Sequence, residues 1–154
     1  VLTDELSSQV LERESFRLVV LGDVLEHLED PAAALTRVAE LLEPGGALWL
    51  TVPDAGSRPA HILGSRWWSV LPMHLQYFTR SSLDHLLRVT GFDPRWHGRH
   101  AKVFTARYYA ERLGGYHASI GRVAVTLVEH AGLADRLVVP DFRDRLAVLC
   151  IKPR

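Results

Sequence analysis

An α/β fold built on a parallel sheet is predicted by three features of residues 16–53, FRLVVLGDVLEHLEDPAAALTRVAELLEPGGALWLTVP. First, Leu18 to Leu21 and Ala47 to Val52 are nearly continuous apolar runs. Strands with one wet face alternate polar and apolar residues, so runs of this kind read as parallel strands covered by helices on both faces. Second, Leu35, Val38, Ala39 and Leu42 recur at helical spacing between them. Third, the helix is bounded by residues suited to its ends: Asp30 caps the first amides, Pro31 needs no N–H there, and Pro44-Gly45-Gly46 stops it. A right-handed crossover makes strands 17–21 and 47–52 parallel neighbours.

The remaining elements follow in chain order. Residues 4–14 suit a short helix leading into the first strand. The segment from Pro53 to Phe78 is long for a connection and carries Trp67, Trp68, Met73, His74, Tyr77 and Phe78. Such segments tend to be lids or to hide a short helix. A helical turn is expected within 58–66, with the aromatic residues folding back toward the strand ends. Thr79 caps a helix whose apolar face is Leu83, Leu86 and Leu87, and Gly91 stops it. Residues 92–97 read as a strand, with Pro94 implying an edge position or a bulge. Helical patterns cover Phe104 to Leu113, ended by Gly114-Gly115, and His117 to Ala131, with Ile120, Val123, Leu127 and Val128 on one side. A final apolar strand runs over 145–151.

The 154 residues suit one domain, and the 47% hydrophobic fraction is enough for a sizeable core. Basic and acidic residues number 18 each, which removes any global argument for nucleic acid or an anionic membrane as partner. With one cysteine there is no internal disulfide. Cys150 lies in the terminal apolar run and reads as a buried strand thiol rather than a nucleophile. No charged-then-apolar leader and no run of membrane-spanning length is present, so a cytoplasmic protein is expected.

In parallel sheets, ligands sit outside the carboxyl ends of the strands, and Gly22, Asp23, Val24, Leu25, Glu26 and His27 fall there. Gly22 permits close approach of a ligand to the backbone. If Asp23 begins a helical turn, Glu26 and His27 lie beside it on one face, bringing two carboxylates and an imidazole together. His74 is a candidate fourth member. An imidazole of His27 or His74 suits proton abstraction from a substrate oxygen. Arg95, Arg99, Lys102 and Arg107, with His97 and His100, form a local basic bias that reads as a solvated face rather than a phosphate site.

The run GDVLEHLEDPAAALTRVAELLEPGGALWLTVP followed by HLQYFTRSSLDHLLRVTGF resembles the second half of a class I S-adenosylmethionine-dependent methyltransferase. The match is good over 16–92 and loose beyond. The resemblance implies a partial Rossmann-like fold in which strands 92–97 and 145–151 form a closing antiparallel hairpin. It implies that Gly22, Asp23 and Val24 line the methionyl and sulfonium part of S-adenosylmethionine. Some enzymes of this fold hold a divalent metal through acid-x-x-Glu-His and a later histidine, here Asp23, Glu26, His27 and His74. The acceptor would be an oxygen or nitrogen of a small molecule, with no nucleic acid and no membrane partner. His74-Leu75-Gln76-Tyr77-Phe78-Thr79 matches a family signature, which implies that Phe78 packs as core and His74 faces the pocket.

The glycine-rich turn that opens the family's cofactor site does not appear, and no glycine precedes Gly22. The chain is therefore expected to be the C-terminal part of a methyltransferase domain, inactive by itself. An alternative is a scaffold or dimerising module that pairs with a second copy through the bare edge of strand 17–21. The acid-x-x-Glu-His turn and the terminal hairpin argue against a third class, a nucleotide-binding dehydrogenase.

Overall fold

The structure, a computed structural model, describes residues 11–154. The expected helix at 4–14 falls largely outside the described residues. The described residues divide into two compact units, residues 11–100 with 143–154, and residues 101–142. Each is described by itself.

The larger unit is built on a four-stranded sheet. Strand β1 spans Phe16–Gly22, and a 3₁₀ turn at Leu25–His27 leads to helix α1, Pro31–Leu41. Strand β2 covers Leu42–Pro53, helix α2 covers Arg58–Leu63, and a 3₁₀ turn follows at Gly64–Arg66. Helix α3 is Arg80–Val89 and strand β3 is Asp93–Arg99. Two further short strands, β4 at Phe104–Thr105 and β5 at Leu137–Val138, belong to the smaller unit, and the last strand, β6, is Arg145–Ile151. The sheet order is β1-β2-β6-β3. Strands β1 and β2 are parallel in the register Val19 to Leu48 and Gly22 to Thr51, as the crossover requires. Strand β6 inserts antiparallel between β2 and β3, so the expected hairpin of 92–97 with 145–151 is present. Pro94 sits on the edge strand next to a register shift, which meets both expectations for a strand proline.

The core forms where one parity of strand residues meets the helices. Leu48, Leu50 and Val52 of β2 and Val148 and Cys150 of β6 are buried with Leu35 and Val38 of α1 and Leu83 and Leu87 of α3, while Val19 and Leu21 of β1 pack against them. Burial and the nearby charges of Asp84 and Asp93 push the Cys150 thiol up to about 12, so it is a packing residue and not a thiolate nucleophile. On the opposite parity Trp49 and Trp96 stack with ring centroids 5.5 Å apart.

The helix ends follow the residues expected of them, with one correction. Asp30 accepts from the Ala33 amide at 2.9 Å and Pro31 opens α1. Helix α1 ends earlier than the Gly-Gly pair, because Leu42 already turns extended, with φ −76° and ψ 140°. Pro44 disfavours helical backbone at Glu43, so the break falls ahead of the proline and Pro44-Gly45-Gly46 belong to β2. The Gly45 amide then donates to the Lys152 carbonyl at 2.9 Å. Thr79 caps α3 in a reciprocal capping box with Ser82, and Gly91 ends that helix at φ 90°.

The smaller unit pairs helix α4, Ala106–Leu113, with helix α5, Ala118–His130. The start of α4 is later than expected, because Phe104–Thr105 form strand β4, paired with β5 at Leu137–Val138, and Thr105 becomes the cap. The apolar stripe of α5 is not its packing face within this unit. Ile120, Val123 and Leu127 are exposed and Gly121 is the buried residue. A Cβ at Gly121 would stand 2.5 Å from the Gly114 Cα, so the helices approach through glycine backbone rather than through branched side chains.

Candidate functional site

The carboxyl ends of β1 and β2 lie side by side, and the candidate residues stand there as the strand order requires. Gly22 is exposed and its backbone is not left-handed, and beyond its chain neighbours nothing lies within 4 Å of the position a Cβ would take. Space above a strand-end backbone is what close ligand approach needs. Val24 is exposed and precedes the 3₁₀ turn, while Leu25 drops into the core and anchors it.

Asp23 does not begin a helical turn, contrary to the expectation from spacing. Its φ is 56°, a left-handed conformation that aspartate tolerates better than most residues. Its amide donates to the Thr51 carbonyl at 3.0 Å, and the Thr51 hydroxyl donates to its Oδ1 at 3.3 Å. The same Oδ1 forms an ion pair with the Arg145 guanidinium, whose side chain is 10% exposed against 27% for Asp23. Burial pulls Arg145 down to about 10, still far above neutrality, and the carboxylate beside it favours the charged form. Left-handed backbone thus rotates the Asp23 carboxylate away from Glu26 and His27 and into a buried pair with the start of β6. This corrects the expected four-member ligand set.

The other three members do converge. Glu26, His27 and His74 each offer a ligand atom within 4.8 Å of the others. Glu26 is only 1% exposed. The two imidazole rings meet edge to face with centroids 4.7 Å apart and planes at 79°. His27 Nδ1 donates to the Met73 carbonyl at 3.0 Å, and His74 Nδ1 donates to the Ser69 carbonyl at 2.7 Å. A carbonyl only accepts, so each Nδ1 holds a proton and in the neutral ring Nε2 carries the lone pair. His74 is brought to His27 by long-range backbone bonds: the Leu75 and Gln76 amides both donate to the Glu26 carbonyl, at 2.8 and 3.0 Å.

The aromatic segment answers its two expectations differently. Helix α2 and the turn after it fill the expected 58–66 stretch. Phe78 is core, while Tyr77 is nearly half exposed. Trp67 and Trp68 both donate their indole N–H to Asp144 Oδ2. The basic bias near β3 is partly neutralised, since Arg95 pairs with Asp93 at 2.8 Å and His97 with Asp84 at 2.6 Å. That favours the solvated face over a phosphate site. Asp144, Arg145 and Thr51 were not singled out from the sequence. The only signal was a charged pair at the start of a buried strand, at a sequence distance that hides its partners.

Asp54, just past β2, is raised above the ordinary carboxylate range chiefly by burial, with Asp144 adding to the rise and the Gly56 amide, His61 and Arg99 opposing it. The folded state therefore holds the Asp54 proton more tightly than the unfolded chain. The stability this contributes is complete at low pH and is lost as pH rises through the folded-state value. Asp54→Asn keeps the acceptor for the Gly56 amide, now at 2.8 Å, and removes the charge. The variant is expected to exceed the parent in urea midpoint at pH 7, with the difference closing toward pH 4. A difference that does not change with pH would show that ionisation is not its cause.

A family model described as a methyltransferase domain matches residues 3–97. Among curated proteins, the ubiquinone biosynthesis O-methyltransferase of Cereibacter sphaeroides is 33% identical over 88 residues, covering 53% of this chain and 36% of that protein. The chain thus spans about a third of the length of the curated relatives it matches. Among solved structures, a SAM-dependent methyltransferase of Thermotoga maritima aligns with TM-score 0.59 at 18% identity, over 98% of this chain and 63% of that one. The 1,6-didemethyltoxoflavin-N1-methyltransferase of Burkholderia thailandensis, with bound 1,6-didemethyltoxoflavin and S-adenosylhomocysteine, aligns with TM-score 0.55 at 17% identity, over 97% of this chain and 48% of that one. At these identities the structural likeness speaks to the fold. Among the described residues, no helix is long and apolar enough to cross a membrane.

Proposed function

The chain belongs to the methyltransferase domain family of class I S-adenosylmethionine-dependent methyltransferases, and we propose that it forms the acceptor-side wall of such an enzyme, transferring methyl to an oxygen or nitrogen of a small molecule. The observation that carries this reading is one juxtaposition. The open backbone at Gly22 and the imidazoles of His27 and His74 are set by the same strand end. In this reading Gly22, Asp23 and Val24 face the methionyl and sulfonium part of the cofactor, as the fold's carboxyl-end crevice suggests. The fixed Nδ1 protons leave Nε2 to accept a proton from the acceptor as its oxygen or nitrogen becomes nucleophilic. Glu26, buried beside the rings, would stabilise the imidazolium so formed.

Gly22→Val tests the cofactor half. Nothing within 4 Å would meet the new Cβ, and φ is not left-handed, so the variant is expected to keep its thermal midpoint. Calorimetric titration with S-adenosylhomocysteine should be run on this chain and on a longer polypeptide that carries an upstream glycine-rich turn. The longer form should bind, and Gly22→Val should weaken it at least about tenfold, equivalent to about 1.4 kcal/mol. Equal affinity of the two forms would sink the assignment of Gly22 to the cofactor surface.

The same cluster also fits a divalent cation. A buried carboxylate with two imidazoles is a common donor set, and the Nδ1-to-carbonyl bonds supply the orienting partners that metal-bound histidines usually have. Glu26, His27 and His74 would hold the ion, and Asp23 would not. A cation there would polarise an acceptor hydroxyl. Titration with Mn²⁺ or Zn²⁺ is expected to show one site that His74→Ala abolishes and Asp23→Asn leaves intact. Loss of binding in Asp23→Asn, or binding that survives His74→Ala, would place the ion elsewhere.

A further inference from the structure

Between Gly64 and Phe78 the chain has little regular structure, so whatever holds this segment decides where His74 stands. Its later part is tied to the Glu26 carbonyl and to His27. Its earlier part is tied to one buried carboxylate. Asp144 is 5% exposed, and its Oδ2 accepts from Trp68 Nε1 at 2.6 Å and from Trp67 Nε1 at 3.4 Å. Asp144 is itself held, because its carbonyl accepts the Asp54 amide at 2.8 Å and the next residue begins β6. The residue after the two indoles is Ser69, also buried, and its carbonyl receives the His74 Nδ1 proton at 2.7 Å.

An indole N–H only donates, and a buried donor requires an acceptor. Trp67 is 3% exposed, so solvent is a poor substitute for it. An ionised carboxylate is acceptor-only and makes stronger hydrogen bonds than a neutral oxygen, so a single oxygen can serve two converging donors. Removing it takes the acceptor from both indole N–H groups at once, and both lie on the stretch of main chain that leads into the Ser69 carbonyl.

We propose that Asp144 is a positioning residue of the candidate site: by holding both indoles it sets the Ser69 carbonyl, and through it keeps the His74 proton on Nδ1 and the ring beside His27 and Glu26. The proposal deepens the reading of His74 as an acceptor-side residue and rests on it for its functional meaning. Its physical content is independent of any activity.

The test is the tautomer of His74, read from two-bond ¹⁵N–¹H correlation spectra of the full chain without cofactor or acceptor. The parent and Asp144→Asn, which retains an acceptor oxygen, are expected to show His74 with its proton on Nδ1. Asp144→Ala and Trp68→Phe are expected to show a shift toward the Nε2-protonated form, because the Ser69 carbonyl is no longer held. A folded Asp144→Ala protein whose His74 signals match those of the parent would overturn the proposal. If Asp144→Ala does not fold, Trp68→Phe decides in the same way, since phenylalanine keeps an aromatic ring and lacks the N–H donor. A merely structural contact would lower the melting temperature of these variants without moving the tautomer. Failure of methyl transfer would leave this result standing, and failure of the tautomer shift would leave the cofactor titration standing.

Discussion

A Leu50→Ala protein is expected to lose about 2–5 kcal/mol of unfolding free energy. Leu50 is fully buried in β2, with Leu21 of β1 and Val148 of β6 as its register partners. It belongs to the cluster that joins the sheet to α1 and α3. Alanine removes the transfer energy of the missing carbons and leaves a cavity. Strand ladders on both sides restrain collapse into that cavity, which places the expected loss in the upper half of the range. Val20→Ala is the matched control, since Val20 lies one residue away in the neighbouring strand and is 59% exposed. Its expected effect is within about 0.5 kcal/mol. Urea unfolding followed by far-UV circular dichroism measures both, and a Leu50→Ala loss no larger than that of Val20→Ala would contradict the core described above.

Arg145→Met is expected to cost about 3 kcal/mol, the lower end of what breaking a buried ion pair costs, because Asp23 keeps some access to water. Most of that loss comes from the carboxylate left behind, not from the attraction itself. The double variant Arg145→Met with Asp23→Asn should therefore be more stable than Arg145→Met alone, and the cycle of the two single variants and the double gives the coupling directly. Additive losses would mean that the two side chains do not interact. The pair also fixes the mouth of the site, since Asp23 adjoins the open backbone of Gly22 and Arg145 adjoins Asp144. Charge removal at this point is thus expected to reach both the backbone at Gly22 and the aromatic segment.

Much of the larger unit was legible in the chain because its signals are local. The capping of α1 by Asp30 and of α3 by Thr79, the edge position of Pro94 and the stop at Gly91 each follow from one residue and its immediate neighbours. The continuous apolar runs marked β1 and β2 for the same reason. Where a prediction assumed a regular continuation, the structure departed from it. Asp23 was placed by helical spacing, but its backbone is left-handed, and a single such residue reverses the direction of a side chain. The apolar residues of α5 fall on one side of the helix, yet within its unit Ile120, Val123 and Leu127 of that side are exposed, and the helices meet instead through the backbones of Gly114 and Gly121. Periodicity registers which residues are apolar, and it carries no information about which neighbour arrives.

By itself the sequence determined the order of the elements in the larger unit, the family and the strand end that carries the candidate residues, because periodicity, capping and turn residues act within a few positions of each other. Tertiary structure alone decided the membership of the site. Glu26, His27 and His74 meet because two amides of a distant segment find one carbonyl. Asp23 leaves that group for Arg145, and Trp67 and Trp68 converge on Asp144 across more than 70 residues of chain. Burial explains the difference. A buried carboxylate or indole must find a partner, and which one it finds depends on what folding brings within hydrogen-bond reach.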